Sequence, residues 1–396
     1  MHYTFSIQRL AKYTLVTILI FAFLEGGVRI ATTIYNDHDE SGKWYIYSSD
    51  LGWERRPGFN SNVASTKKQF DSNGYLASDT QQISDTSKPK IIFIGDSVTF
   101  GYNVATPSTF VELLDTSLPS VSVINLGVIG YTSYQGYKTL LKYGLQLNPS
   151  LLIVSFNYND RRYVLQQTDI DSNARFTSIA NSFTRKLLDK VYLLKSMRYV
   201  ITKSFISTIT PKLHSVNIND LHPRVPPSSY RRNLVRIAKL AREKQIPLIF
   251  MLLKDNPALT KHLRQGIELF EKSEYDLAAQ QLKLAARASA DASVIARKYL
   301  AKIYKEIGDE QKAKEVSTLN KPFISLLGGY PLYPDTVYNE IMIAVAHEYS
   351  VSLLDAGRLL EQNPANYHDF CHPNEYGHQQ IYRLLYNAVS KIHLTE

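Results

Sequence analysis

The chain has 396 residues, a formal net charge of +9, 44% hydrophobic residues and one cysteine. That apolar content excludes a wholly disordered chain, and the length exceeds one typical domain. The lone cysteine, Cys371, excludes an intramolecular disulfide framework and any thiolate-rich metal site.

Residues 13–24 carry no charge and follow Arg9 and Lys12. A basic flank before an apolar run is the layout of a signal sequence. The run is shorter than the roughly 20 residues that span a bilayer. Apolar character resumes beyond Glu25, Gly26 and Gly27, at Val28, Ile30 and Ala31. Glu25 and Arg29 are spaced to pair on a helix. No small-x-small cleavage site follows Leu24, so residues 1–34 read as an uncleaved signal anchor. This predicts a single-pass membrane helix with the remaining chain extracytoplasmic.

Residues 35–88 are polar and turn-rich, with Trp44, Trp53, Pro57, Gly58 and Gly74. They read as a lead-in that packs on the main domain. From residue 89 short apolar runs alternate with helical patterns. The runs are 91–94, 121–124, 151–156, 247–253 and 351–354. The helical patterns cover 109–116, 134–143, 230–244, 336–348 and 375–392. Such alternation predicts an α/β fold, a parallel sheet covered on both faces. Sites in these folds lie at the carboxyl ends of the strands.

Residues 257–320 break the rhythm with helical sequence alone. Gly266, Leu269, Ser273 and Ala278 are matched 35 positions later by Ala301, Tyr304, Gly308 and Ala313. Ala285 adds a small residue at an expected helix crossing. The segment resembles tetratricopeptide (TPR) helical hairpins. So few repeats rarely stand alone, so the insertion is expected to lean on the main domain, which then comprises 89–256 and 321–396.

The strand ends carry the chemistry. The first is followed by Gly95-Asp96-Ser97, the second by Gly127 and Gly130, the third by Asn157-Tyr158-Asn159-Asp160. Asp369 and His372 precede the last helix. A serine at a strand-to-loop turn presents its hydroxyl at the sheet edge. Glycines let backbone N–H groups approach a ligand. A carboxylate three residues before a histidine can fix its tautomer. In that order these blocks resemble the SGNH/GDSL hydrolase family, with Ser97, Gly130, Asn159 and His372 as its four signature residues. Asp50-Leu51-Gly52-Trp53, Pro57-Gly58, Asn73-Gly74 and Arg224-Val225-Pro226 look like segments of its membrane-anchored bacterial members. Two positions depart from the pattern. Asn157 stands where the family has glycine, and Val98 where it has leucine.

The resemblance implies a three-layer α/β/α, flavodoxin-like fold and a Ser97–His372–Asp369 triad. The oxyanion hole would be the Ser97 and Gly130 N–H groups and the Asn159 amide. No metal and no organic cofactor is implied. The expected activity is ester hydrolysis, with O-acyl groups of a cell-envelope glycan as substrate and a bacterial cell membrane as location. One alternative is O-acetyl transfer by the same triad; another is a non-catalytic scaffold whose TPR-like insertion binds a protein partner. Residues 183–244 hold 14 lysines and arginines against three acids, so the basic excess lies in one stretch, including a helix expected over 183–205. It suits an anionic membrane surface or acidic glycan. No nucleic-acid recognition motif is visible.

Overall fold

The computed structural model describes residues 7–35, 44–48, 50–60, 68–164, 215–320, 322 and 329–392. The helix expected over 183–205 lies outside them. The first described element, α1 (Ile7–Tyr35), is one continuous helix. Its side chains Leu15, Ile18, Leu19, Ile20 and Phe23 are exposed. Among the described residues, no helix is long and apolar enough to cross a membrane. That corrects the expected spanning helix: the apolar run stops at Glu25 and two glycines, short of the roughly 20 residues required.

The lead-in is more ordered than its polar sequence suggests. It forms an antiparallel hairpin of β1 (Tyr45–Ser48) and β2 (Gly52–Arg55). Leu51 at its turn is buried against the main core.

The central sheet has five parallel strands: β3 (Lys90–Gly95), β4 (Ser122–Asn125), β5 (Leu151–Ser155), β6 (Leu248–Leu252) and β7 (Ser352–Asp355). Their spatial order is β7-β6-β5-β3-β4. Counted from β3, this is the doubly wound order 2-1-3-4-5, whose ligand crevice opens between the first and third strands. Parallel strands covered on both faces are mostly apolar, and every residue of β3, β4, β5 and β6 is buried.

Alternate side chains serve opposite faces. Ile92, Ile94, Ile124, Leu152, Val154 and Phe250 share a core with α3 (Ser133–Thr139), α4 (Pro227–Glu243) and α9 (Asp335–Tyr349). Ile91, Phe93, Val123, Ile153 and Met251 share the other with α2 (Phe110–Ser117) and α10 (Glu375–Val389). Each fully buried aliphatic side chain contributes about 2 kcal/mol of transfer free energy.

Between β6 and α9 stand α5 (Pro257–Glu271), α6 (Tyr275–Ala288), α7 (Ala290–Glu306) and α8 (Glu310–Ser317). Successive helices pack on one another. The 35-residue period has a geometric counterpart: Ser273 and Gly308 end corresponding helices, both with positive φ, at 60° and 77°. Ala278 and Ala313 are both buried at helix crossings. A Cβ on Gly266 would lie 2.7 Å from Leu282 Cγ, so the small residue there sets the α5–α6 approach. The core of these helices also takes in Phe370 and Cys371, which lie between the expected catalytic Asp369 and His372.

Candidate active site

Ser97 opens a short helix, Ser97–Phe100, directly after β3. Asp96 caps that helix by accepting the Val98 N–H at 3.0 Å, which fixes the turn carrying the serine. Val98, in place of leucine, is buried in the α2–α10 core, so the substitution changes only packing volume.

Asp369 and His372 sit on the loop before α10. The Ser97 hydroxyl lies 2.8 Å from His372 Nε2. His372 Nδ1 lies 2.7 Å from Asp369 Oδ2, and Asp369 Oδ1 accepts the backbone N–H groups of Cys371 and His372 at 3.0 and 2.9 Å. The carboxylate is therefore fixed by its own loop as well as by the ring. Partial burial opposes its charge, but the His372 ring and the two backbone donors outweigh this and hold its pKa at about 2. The loop is in turn tied to the end of β6. Asn256 donates its backbone N–H to Phe370 O at 2.8 Å and its side-chain amide to Asp369 O at 3.1 Å. Asn256 also caps α5, so one residue joins the Asp369–His372 loop to the helices α5–α8.

Asn159, on the short helix after β5, is buried and donates its side-chain amide to Asp96 Oδ2 at 3.1 Å. Asp96 is thus the bridge between the serine turn and the Asn159 donor. Its burial raises its pKa, while the Val98 N–H, the facing His372 and the Asn159 amide pull the other way. Asn157 has φ −166°, outside the left-handed region that favours glycine. Its amide donates to Asp335 O at 3.1 Å and Asn339 Oδ1 at 2.7 Å, anchoring the loop to α9.

The loop after β4 is pinned to the serine strand by Val128 N–H, which donates to Gly95 O at 3.1 Å. Gly127 makes this possible, since a Cβ there would lie 2.6 Å from the Phe100 backbone nitrogen. Gly130 adopts φ +79°, a region that favours glycine. It touches no triad side chain through a hydrogen bond; instead its carbonyl accepts from Arg224 Nη1 at 2.8 Å. Arg55 donates to Asn125 O and Gly127 O, and Trp53 Nε1 donates to Ile129 O at 3.1 Å. The structure thus joins Ser97, His372 and Asp369 directly, links Asn159 to them through Asp96, and holds Gly130 from behind.

Cys371 is buried among helices α5–α8, and that burial pushes its thiol pKa well up, which disfavours the reactive thiolate. Donor atoms of Asp369, Cys371 and His372 lie within 4.8 Å of one another. Both His372 nitrogens already face Ser97 and Asp369, however, so a metal there would have to break the triad. The Tyr102 ring packs on the His372 ring with centroids 4.9 Å apart. A cavity of about 80 Å³ lies behind the loop after β4, lined by Arg55, Tyr75, Leu126, Val128, Tyr131 and Tyr143, and includes none of Ser97, Asp369 and His372.

Sequence reading passed over Asp96, Trp53 and Arg224 as site residues. Asp96 was visible within the Gly95-Asp96-Ser97 turn itself. The carbonyls held by Trp53 and Arg224 are distant in sequence, and nothing short of the fold pairs them.

The chain matches no protein-family model and no curated protein. Among solved structures it is similar to the lipase/acylhydrolase from Enterococcus faecalis, at 14% identity and TM-score 0.38, over 78% of this chain and 99% of that one. It is similar also to a member of the lipolytic protein G-D-S-L family from Veillonella parvula, at 14% identity and TM-score 0.36, over 76% and 99%. An acetyl xylan esterase is 12% identical with TM-score 0.39, over 76% and 99%. At such distances the chemistry of this site has to be read from its own geometry.

Proposed function

We propose that this chain is a serine ester hydrolase of the SGNH/GDSL type. The observation that carries the proposal is the unbroken chain from Ser97 Oγ through His372 to Asp369, with contacts of 2.8 and 2.7 Å. Serine is a weak nucleophile and needs a base. His372 Nε2 takes the hydroxyl proton as Oγ bonds to the ester carbonyl carbon. The carbonyl π electrons move to oxygen, and the oxyanion is met by the Ser97 and Gly130 N–H groups and the Asn159 amide. Collapse of the intermediate breaks the bond to the alcohol, which leaves with the proton from His372. Water repeats the sequence and releases the acid. Asp369 keeps the imidazole in the working tautomer and stabilises its charged form.

The substrate we assign is an O-acylated cell-envelope glycan. Support comes from exposure: the Asp369 side chain is 47% exposed and His372 15%, so the loop bearing the base lies near the surface, where a bulky alcohol can approach. We further assign the enzyme to the extracytoplasmic side of a bacterial membrane, held there by the exposed apolar run of α1. The exposed Leu15, Ile18, Leu19 and Phe23 support that association. Ser97→Ala should abolish turnover of an acetyl ester and labelling by a fluorophosphonate while leaving the circular dichroism spectrum unchanged. Full activity in that variant would sink the assignment. Acetylated glycans should be cleaved faster than long-chain esters, and free acetate should form without a sugar acceptor. Product formed only with an acceptor would make the enzyme a transferase. The chain should sediment with membranes and be released by detergent; its recovery in the soluble fraction would remove the membrane assignment.

A further inference from the structure

The peptide linking Ile129 to Gly130 is held by its oxygen. Trp53, on β2 of the lead-in, donates its indole N–H to Ile129 O at 3.1 Å. No described peptide bond is cis. In a trans peptide the C=O and N–H point in opposite directions, so a donor fixed on the Ile129 oxygen fixes where the Gly130 N–H points. Gly130, with φ +79°, lacks the steric restraint that a side chain would add. Among the described residues its N–H donates to no protein group. The indole is itself well held. Its ring meets Tyr131 edge-on at 5.5 Å, the Arg224 guanidinium lies 5.9 Å from its centroid, and the Tyr131 hydroxyl donates to Trp53 O at 2.5 Å.

We propose that Trp53 is a positioning residue for the oxyanion hole: its indole N–H orients and polarises the Ile129–Gly130 peptide, so that the Gly130 N–H is preset toward the oxyanion. This rests on Ser97 as nucleophile and Gly130 as oxyanion donor. The lead-in is then part of the catalytic apparatus rather than only a support for it. Charge on the substrate oxygen grows in the transition state, so loss of the indole donor acts on kcat and leaves KM alone.

The test exploits the two tryptophans of the chain. Trp44 Nε1 is buried without a hydrogen-bond partner. Replacing both tryptophans in the full chain by 3-benzothienylalanine, which has sulfur in place of N–H, therefore removes one hydrogen bond while keeping both rings. With para-nitrophenyl acetate, kcat should fall about ten-fold, less than outright loss of an oxyanion donor costs. KM should stay within about two-fold, and the pH at which kcat falls should not move, because the triad is untouched. Trp53→Phe should reproduce the fall and Trp44→Phe should not. An unchanged kcat in the substituted protein overturns the role of Trp53, as does a change confined to the melting temperature. Failure of the underlying assignment is distinct: it shows as turnover that survives Ser97→Ala in the protein with its natural tryptophans.

Discussion

Asn159 donates its side-chain amide to Asp96 Oδ2 at 3.1 Å, while Asp96 Oδ1 takes the Val98 N–H at 3.0 Å. One buried carboxylate therefore sets both the serine turn and the Asn159 amide that we assign to the oxyanion hole. Asp96→Asn puts an amide opposite the Asn159 amide and invites that group to turn. Kcat for an acetyl ester should drop about ten- to hundred-fold with KM little changed, and Asn159→Ala should cost about a hundred-fold or more. Steady-state kinetics of the two variants and their double mutant check this. If the double mutant loses the product of the two factors, the residues act independently and the bridge is wrong.

Asp369 holds the His372 ring and two backbone N–H groups of its own loop. Its pKa of about 2 lies below the unfolded value, so the carboxylate stays charged, and keeps its bond to His372, down to about that pH. Acid inactivation above this range therefore does not arise from Asp369. Asp369→Asn should lower kcat about a thousand-fold, because the ring loses the partner that fixes its tautomer. Stability should barely move, since the Asn oxygen can still accept the Cys371 and His372 N–H groups and the Asp369 side chain is 47% exposed. A thermal melt beside a kcat measurement separates the two. A large melting shift with modest kinetic loss would make the pair structural.

Cys371 neighbours His372 in sequence yet packs among the inserted helices with Phe370. Cys371→Ser should leave kcat within about two-fold and lower stability by about 1–2 kcal/mol, the cost of a poorly satisfied buried hydroxyl. The native thiol should resist iodoacetamide and become reactive on unfolding. Rapid labelling of the native protein, with loss of activity, would place the thiol in the site.

Much of this was legible in sequence because it is local. The buried strands carry apolar runs at their centres, and Ser97, Asn159, Asp369 and His372 follow strand ends or precede a helix in a fixed order. The helical run of α5–α8 showed itself through the spacing of Gly266, Ala278, Ala301 and Ala313. What stayed hidden depends on pairs far apart in the chain. Trp53 meets Ile129 and Arg224 meets Gly130 only after the sheet has formed. The β1–β2 hairpin was missed because its strands are four residues each and only partly buried, too short for alternation to register. The spanning helix was over-read by joining apolar residues across Glu25 and the two glycines.

His378 offers the clearest pH test, and it lies outside the triad. The ring is buried, stacks on Phe110 with centroids 5.1 Å apart, and accepts the Phe110 N–H on Nδ1 at 3.1 Å. That bond requires the neutral ring. Burial, with Lys68, His368 and His372 adding to it, pushes the pKa down to about 3. In the unfolded chain the same group titrates near 6.5. Between these values the unfolded state binds a proton that the folded state refuses, so stability rises with pH across that window. The contribution is complete above about 6.5 and is lost as pH falls toward 3, with a slope of at most about 1.4 kcal/mol per pH unit. His378→Gln keeps an acceptor for Phe110 and removes the titration. Urea melts at several pH values should show the wild type losing stability toward acid more steeply than this variant. Parallel curves for the two proteins would mean that another group carries the acid sensitivity.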